Sequence, residues 1–295
     1  MFRLGYNTNG LAHHRPLDAV QLLADLGYEA VAITPDVGAL DPYDLVPGKV
    51  ERVRQACEEL GLELAVETGA RYLLDPRRKH YPTLLEDDEH ARARRVDFLL
   101  RSLALADALG AGLLSLWSGA APNGMRAGAG QAGDVHREVL WQRLCSGLRP
   151  VLARAHALGI QVVFEPEPGM FIERPAGYGE LIERLGEDGN ELGLCLDVGH
   201  LLVTADLPVG GEIARWAPRL RHVHLDDIQG GVHEHRMFGS GELDLAETLA
   251  ALLAAGFDGM AAVELSRDSH RGASAAEEAL GHLRRALQRL PSASP

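Results

Sequence analysis

Short apolar runs alternate along this chain with longer stretches in which apolar residues recur at i, i+3 and i+4. The short runs are FRLGYN (2–7), EAVAIT (29–34), LELAVE (62–67), GLLSLW (112–117), IQVVFE (160–165), LGLCLD (192–197), RHVHLD (221–226) and MAAVEL (260–265). Their length and composition predict strands. The longer stretches are LDAVQLLADLG (17–27), VERVRQACEELG (50–61), HARARRVDFLLRSLALADALG (90–110), WQRLCSGLRPVLARAHALG (141–159), AETLAALLAAG (246–256) and AAEEALGHLRRALQRL (275–290). They predict amphipathic helices. Pro150 is expected to kink or split the fourth of them, since proline lacks an N–H and clashes with the preceding turn. Many of these stretches close on Leu-Gly or Ala-Gly, and glycine suits the left-handed residue that ends a helix.

Strand, helix, glycine, strand, repeated along the chain, predicts a parallel sheet with right-handed crossovers. Eight such units close into an α/β (β/α)8 TIM barrel, and the 295 residues suit a fold that typically takes about 250. A doubly wound open sheet is the alternative. No shift in composition marks a second domain, so residues 1–290 read as one barrel domain and 291–295 as a frayed tail.

The formal charge of −13 disfavours nucleic acid as a partner, because an acidic surface repels a phosphate backbone. The opening MFRLGYNTNG lacks the apolar run of a signal peptide. No stretch approaches the roughly 18 apolar residues of a membrane span. Cys57, Cys145 and Cys195 are scattered and form no CxxC pair, so a thiolate zinc site is not expected. An odd cysteine count without a leader fits a reducing cytoplasm. The expectation is a cytoplasmic protein whose partner is a small molecule; a homo-oligomer stays open.

In a TIM barrel the chemistry sits at the C-terminal ends of the strands. Here the third run ends in Glu67, the fifth in Glu165 and the sixth in Asp197. The seventh carries His222, His224 and Asp226, and the eighth carries Glu264. Carboxylates are depleted in strands and rarely buried unpaired. Several at one barrel mouth repel each other unless a cation sits among them. A divalent ion held by Glu165, Asp197, His224 and Glu264 resolves that conflict. Three carboxylates and one imidazole suit manganese, magnesium, cobalt or zinc without choosing among them. Taken singly, each residue has a blander role; Asp197, for instance, can cap a turn. His222 and His224 share one face of their strand. The later one, nearer the mouth, is the better ligand, which leaves His222 as a hydrogen-bonded core histidine.

The segments FEPEPG (164–169), LDVGH (196–200), HVHLDD (222–227), HRMFGSGELD (235–244) and VEL (263–265) together resemble the xylose-isomerase-like barrel superfamily, which includes sugar epimerases and isomerases, inosose dehydratases and endonuclease IV. The resemblance runs in order over almost the whole chain. It implies a metal-dependent isomerase or epimerase of a small sugar, keto-sugar or polyol derivative, working by proton transfer through a metal-stabilised enediolate. By that resemblance Glu165 and Glu264 are both ligands and the acid/base pair, with Asp197 and His224 completing the site. His200 and Arg236 match substrate-binding positions. The chemistry is coherent on its own terms: a carboxylate moves the proton beside a carbonyl while a metal stabilises the charge. Endonuclease IV carries two metal-binding residues, two apart, just before a glycine turn, where this chain has His233 and His235. With His200 they imply a second divalent ion; the alternative is that they bond substrate or brace the loop. Glu167 stands where epimerases often have the histidine of ExHPG, which bears on the substrate's charge and identity. AITPDVG (32–38) and AVETGAR (65–71) lack endonuclease IV's further metal histidines, so a third metal is not expected. The other activities weighed are a two-metal phosphoester hydrolase, a metal-dependent dehydratase or lyase, and a non-catalytic ligand-binding barrel.

The loops carry further candidates. ETGARYLLDPRRKHYPTLL (67–85) holds Arg71, Arg77, Arg78, Lys79 and His80. It reads either as a solvated basic loop or as a clamp for a substrate phosphate or carboxylate, with Arg71 and Lys79 as the anion contacts. Glu67 and Glu167 are placed at the substrate. Trp117 can stack on a sugar's apolar face or cover the core. GAGQAG (128–133) matches GxGxxG but does not directly follow a strand, so no dinucleotide site is expected there. The segment 118–133 reads as a mobile loop or lid. Gly239 and Gly241 are expected to permit a tight turn, with their amides open to a phosphate as the weaker reading.

Overall fold

A computed structural model describes residues 1–122, 124–128 and 134–290; most of GAGQAG and the tail 291–295 lie outside the described residues. All eight expected strands form. They are β1 (Arg3–Asn7), β2 (Ala30–Ile33), β3 (Glu63–Glu67), β4 (Leu113–Leu116), β5 (Gln161–Phe164), β6 (Gly193–Asp197) and β7 (Leu220–Leu225); a hairpin of β8 (Asp227–Gln229) and β9 (Val232–Arg236) comes next, and then β10 (Met260–Val263). Barrel neighbours are parallel, and β1 pairs with both β2 and β10. That last pairing closes the sheet and excludes the doubly wound alternative, which would leave two free edges.

Around the barrel lie α1 (Pro16–Leu26), α2 (Pro47–Leu60), α3 (Glu89–Leu109), α4 (Val135–Leu158), α5 (Pro175–Leu185), α6 (Val198–Thr204), α7 (Val209–Trp216), α8 (Leu245–Ala254) and α9 (Gly272–Arg289). The glycines after α1, α2, α3 and α4 are all left-handed, as their places at helix ends require. Pro150 does not split α4, one of the two outcomes expected of it, and the helix also starts earlier, where Asp134 accepts from the amides of His136 and Arg137. Pro150 lies on the exposed face, and so does Ser146, whose carbonyl loses its partner to water. On the other face Leu144, Leu148, Val151 and Ala155 stay buried in one stripe that holds both halves in line.

Two apolar layers support the mouth. Inside the barrel, Ala30, Ala32, Ala65 and Ala262 pack round Met260. Gly5 makes room for it, since a Cβ there would meet the Met260 side chain at 2.9 Å. The larger core lies between strands and helices. With the barrel's interior filled by small side chains, the polar residues at the strand ends face a cavity of about 590 Å³ at the C-terminal mouth. Among the described residues no helix is long and apolar enough to cross a membrane.

Candidate active site

Glu165 and Glu264 directly follow β5 and β10. Their amides still bond the neighbouring strands, to Leu116 O at 2.8 Å and Leu225 O at 3.0 Å, so sheet pairing fixes both at the mouth. Asp197 ends β6 and caps α6 through Oδ1, which accepts from the His200 amide at 2.8 Å. Its Oδ2 is buried without a hydrogen-bond partner. Capping therefore uses one oxygen and leaves the other facing the site. His224 Nδ1 lies 3.0 Å from Glu165 Oε1, 3.0 Å from Glu264 Oε2 and 3.8 Å from Asp197 Oδ2. One ligand atom from each of these four residues falls within 4.8 Å of all the others.

Behind His224 stands Glu67. Its Oε1 lies 3.1 Å from His224 Nε2 and 2.9 Å from His222 Nε2. Burial opposes protonation of His224, but Cys195, Glu165, Glu67 and Glu264 raise it well above the imidazole range, so both ring nitrogens carry protons toward carboxylates. A cation at Nδ1 would displace the proton there while Glu67 kept the one at Nε2. Glu67 thus orients His224 as well as bordering the cavity, a fuller role than sequence reading gave it. Burial opposes its ionisation, but His224 and His222 outweigh that and draw it down to about 2. Burial, with Asp226 as the next cause, holds Asp197 well above the ordinary carboxylate range. Burial raises Glu165 too. Protons could relieve this crowding, but a divalent cation would relieve it without them, so the donor set fits one.

His200, His233 and His235 form a second cluster. His200 Nδ1 is 3.1 Å from Pro166 O, which only an N–H can satisfy, so its Nε2 carries a lone pair when neutral. His235 Nδ1 sits 2.7 Å from the buried Asp226 Oδ2. The His233 Nε2 is 2.9 Å from His200 Nε2 and 3.0 Å from His235 Nε2. One His233 proton can serve only one of those contacts. Whether that nitrogen carries a proton or a lone pair, it has one site for two contacts, so one of them stays unpaired whichever ring protonates, and a cation between the three would remove the conflict. Burial and the neighbouring His235 hold His233 down at about 4. His235 goes the other way: Glu264 and Asp226 outweigh burial and raise it to about 10. Three convergent Nε2 atoms backed by a carboxylate also fit a cation. Gly199 makes the backing possible, since a Cβ there would lie 2.1 Å from Asp226 Oδ1. Asp197, Asp226 and His235 also converge, so the two clusters are contiguous.

Of the other expected residues, Glu67, Arg71, Lys79, His80, Trp117 and Glu167 border the cavity. Arg236 does not: alternation along β9 puts it on the face opposite His233 and His235, where it pairs with Glu234 at 2.7 Å. Arg77 and Arg78 are not in the wall either; Arg78 is tied to Asp75 and Glu86. The amides of Gly239 and Gly241 are not open to a phosphate, because both donate to Asp227 Oδ2 at 2.9 Å. Sequence reading passed over Asn9, whose Nδ2 donates to Glu264 Oε1 at 2.7 Å, and Arg267. Asn9 follows the first strand in NTNG, so the strand-end rule could have found it had neutral amides been counted with the acids.

Fold and site together define a class, (β/α)8 barrels with carboxylates and imidazoles gathered at the C-terminal mouth. Within it, the chain belongs to the xylose isomerase-like TIM barrel family, whose model matches residues 20–286. It is similar to fructoselysine 3-epimerase of Shigella flexneri, 22% identical over 268 residues that cover 90% of this chain and 88% of that protein. It shares 28% identity over 145 residues with inosose dehydratase of Lacticaseibacillus casei, 43% of this chain and 48% of that one. The chain thus spans about half the length of the inosose dehydratases it matches. Among solved structures it resembles an L-ribulose 3-epimerase, with a TM-score of 0.74, 20% identity and 100% of both chains covered. It also resembles a 3-keto-D-glucoside 4-epimerase from E. coli, with a TM-score of 0.75, 18% identity and 97% and 100% covered. At those identities the structural likeness speaks for the fold.

Proposed function

We propose that this chain is a divalent-metal-dependent epimerase or isomerase that moves a proton next to the carbonyl of a small keto sugar. One observation carries the reading: Glu165 and Glu264 reach His224 Nδ1 from different strands, each at 3.0 Å, and both border the cavity. A substrate over that point has a carboxylate on either side. Glu165, Asp197, His224 and Glu264 would hold the ion. When bound, it supplies positive charge beside the substrate's carbonyl and hydroxyl oxygens, which acidifies the C–H between them. One glutamate takes that proton and the other returns one to the opposite face, inverting the carbon. Asn9 steadies Glu264 through Oε1, and Glu67 would hold the Nε2 proton of His224 while Nδ1 faced the ion. His200, His233 and His235 would hold a second divalent ion beside the first.

A second reading, dehydration, draws on the inosose dehydratase match and on the protonated state favoured for His235, a candidate acid for a departing hydroxyl. It requires that ring to be free of metal, and its product lacks one water. The epimerase reading is tested with Glu165→Gln and Glu264→Gln, assayed on keto sugars with metal content measured alongside. Each is expected to lose turnover by roughly a hundredfold or more. Near-normal activity in either variant would show the two-glutamate mechanism to be wrong.

A further inference from the structure

The cavity has two poles. At its floor, carboxylates and imidazoles gather round His224. At its rim stand two cations from different loops, Lys79 after β3 and Arg267 after β10. Lys79 is exposed and, among the described residues, has no hydrogen-bond or ion-pair partner. The Arg267 side chain is 64% exposed, and its nearest carboxylate, Glu234 at 3.6 Å, is already held more closely by Arg236 at 2.7 Å. Arg71 is different: it is spent on the cavity wall, 3.3 Å from Asp36 Oδ2 and donating to Asn9 O at 3.0 Å.

A third cation lies behind that side of the cavity. Arg95 of α3 is 3% exposed, with its guanidinium 5.7 Å from the Trp117 ring. It donates to Thr68 O at 3.3 Å, its Nη1 has no partner, and among the described residues no carboxylate reaches ion-pair distance. A buried cation without a counter-charge is costly, and its field is poorly screened. It therefore adds to the positive potential at the Trp117 wall, where His80, the residue after Lys79, packs edge-on against the indole at 5.4 Å. Glu167 also faces this region; a carboxyl there suits a sugar hydroxyl rather than the charged end.

We infer that the substrate carries an anionic group, a phosphate or a carboxylate, on the end remote from the His224 cluster, and that Lys79 and Arg267 clasp it from two sides of the mouth. This rests on the keto-sugar reading above and narrows it to acidic sugars. The clasp replaces the one expected from sequence: Lys79 stays, Arg71 leaves and Arg267 enters. Two converging cations suit a multi-oxygen anion, and at an exposed rim they act mainly on affinity and capture rate.

The test is calorimetric binding to the metal-loaded protein, with three probes: D-fructose, its phosphate monoester on the terminal carbon, and a ketohexonate. Wild type is expected to bind at least one acidic probe about tenfold or more tightly than D-fructose, and the preferred probe shows which anion the clasp suits. Lys79→Gln with Arg267→Gln, both at exposed positions, should erase that preference and leave D-fructose binding within about twofold. Added salt should shrink it. Equal binding of all three probes to wild type, or a preference that survives in the double variant, would overturn the inference. Carbon-bound deuterium exchange on the bound probe is scored separately. Binding preference without exchange would remove the epimerase reading and keep the clasp; exchange on D-fructose without preference would do the reverse.

Discussion

His233 is the residue on which the proposed second ion turns. Its Nε2 meets two other imidazole nitrogens at 2.9 and 3.0 Å, and one proton cannot satisfy both. In a His233→Ala/His235→Ala double variant, bound metal should fall by about one equivalent per chain while the Glu165, Asp197, His224 and Glu264 ion stays. An unchanged metal count, read by elemental analysis, would return both rings to bracing the loop or bonding substrate. At this scale the site's acids were legible because carboxylates are out of place at strand ends. Arg236 lies outside the cavity wall because adjacent residues on a strand face opposite ways, an alternation that a motif match ignores. Arg267 went unread because a basic residue in an exposed turn carries no signal until the fold brings that turn over the cavity.

At the scale of elements, the hairpin of β8 and β9 delivers His233 and His235 to the mouth. Gly230 and Gly231 turn it, both with positive φ, as a two-residue hairpin turn requires. The Gly-Gly between Gln229 and Val232 was the missed sign of these strands. His235 itself takes a left-handed φ of 45°, an unusual state for a non-glycine residue, and the ladder shifts register in the same hairpin. Asp227 anchors the loop after β9, accepting from the amides of Gly239, Gly241 and Leu243 at 2.9 Å each. A Cβ on Gly241 would lie 2.2 Å from Ile228 O and 2.4 Å from Asp227 Oδ1. Gly241→Ala should therefore loosen the anchor, at a cost on the order of 1–3 kcal/mol. Metal affinity at the three histidines should weaken more than at the His224 cluster. A variant with wild-type Tm and metal binding would show that the loop does not depend on Asp227. Helix α4 teaches the complementary lesson: a proline on an exposed face did not overrule a continuous buried stripe, and propensity alone could not weigh the two.

For the whole molecule, the barrel was legible because eight strand runs recurred, and five of the six helical stretches ended in a glycine stop; closure follows from the number of strands. The short helices α5, α6 and α7 were not anticipated: α5 and α7 start at or just after prolines, and α6 is only one to two turns grown from the Asp197 cap. The site's first four residues come from β5, β6, β7 and β10, and no local motif contains them; only the closed sheet makes them neighbours. The same closure brings Glu165 and Glu264 each to 3.0 Å from His224 Nδ1, the pair to which the proposed function assigns proton exchange at one carbon. The decisive measurement is incubation of the metal-loaded protein with a keto sugar it binds, in deuterium oxide, followed by NMR. Deuterium should enter at a single carbon beside the carbonyl, in substrate and epimer alike, and neither Glu165→Gln nor Glu264→Gln should yield the labelled epimer. Conversion to product with no deuterium at that carbon would contradict proton transfer between the two glutamates.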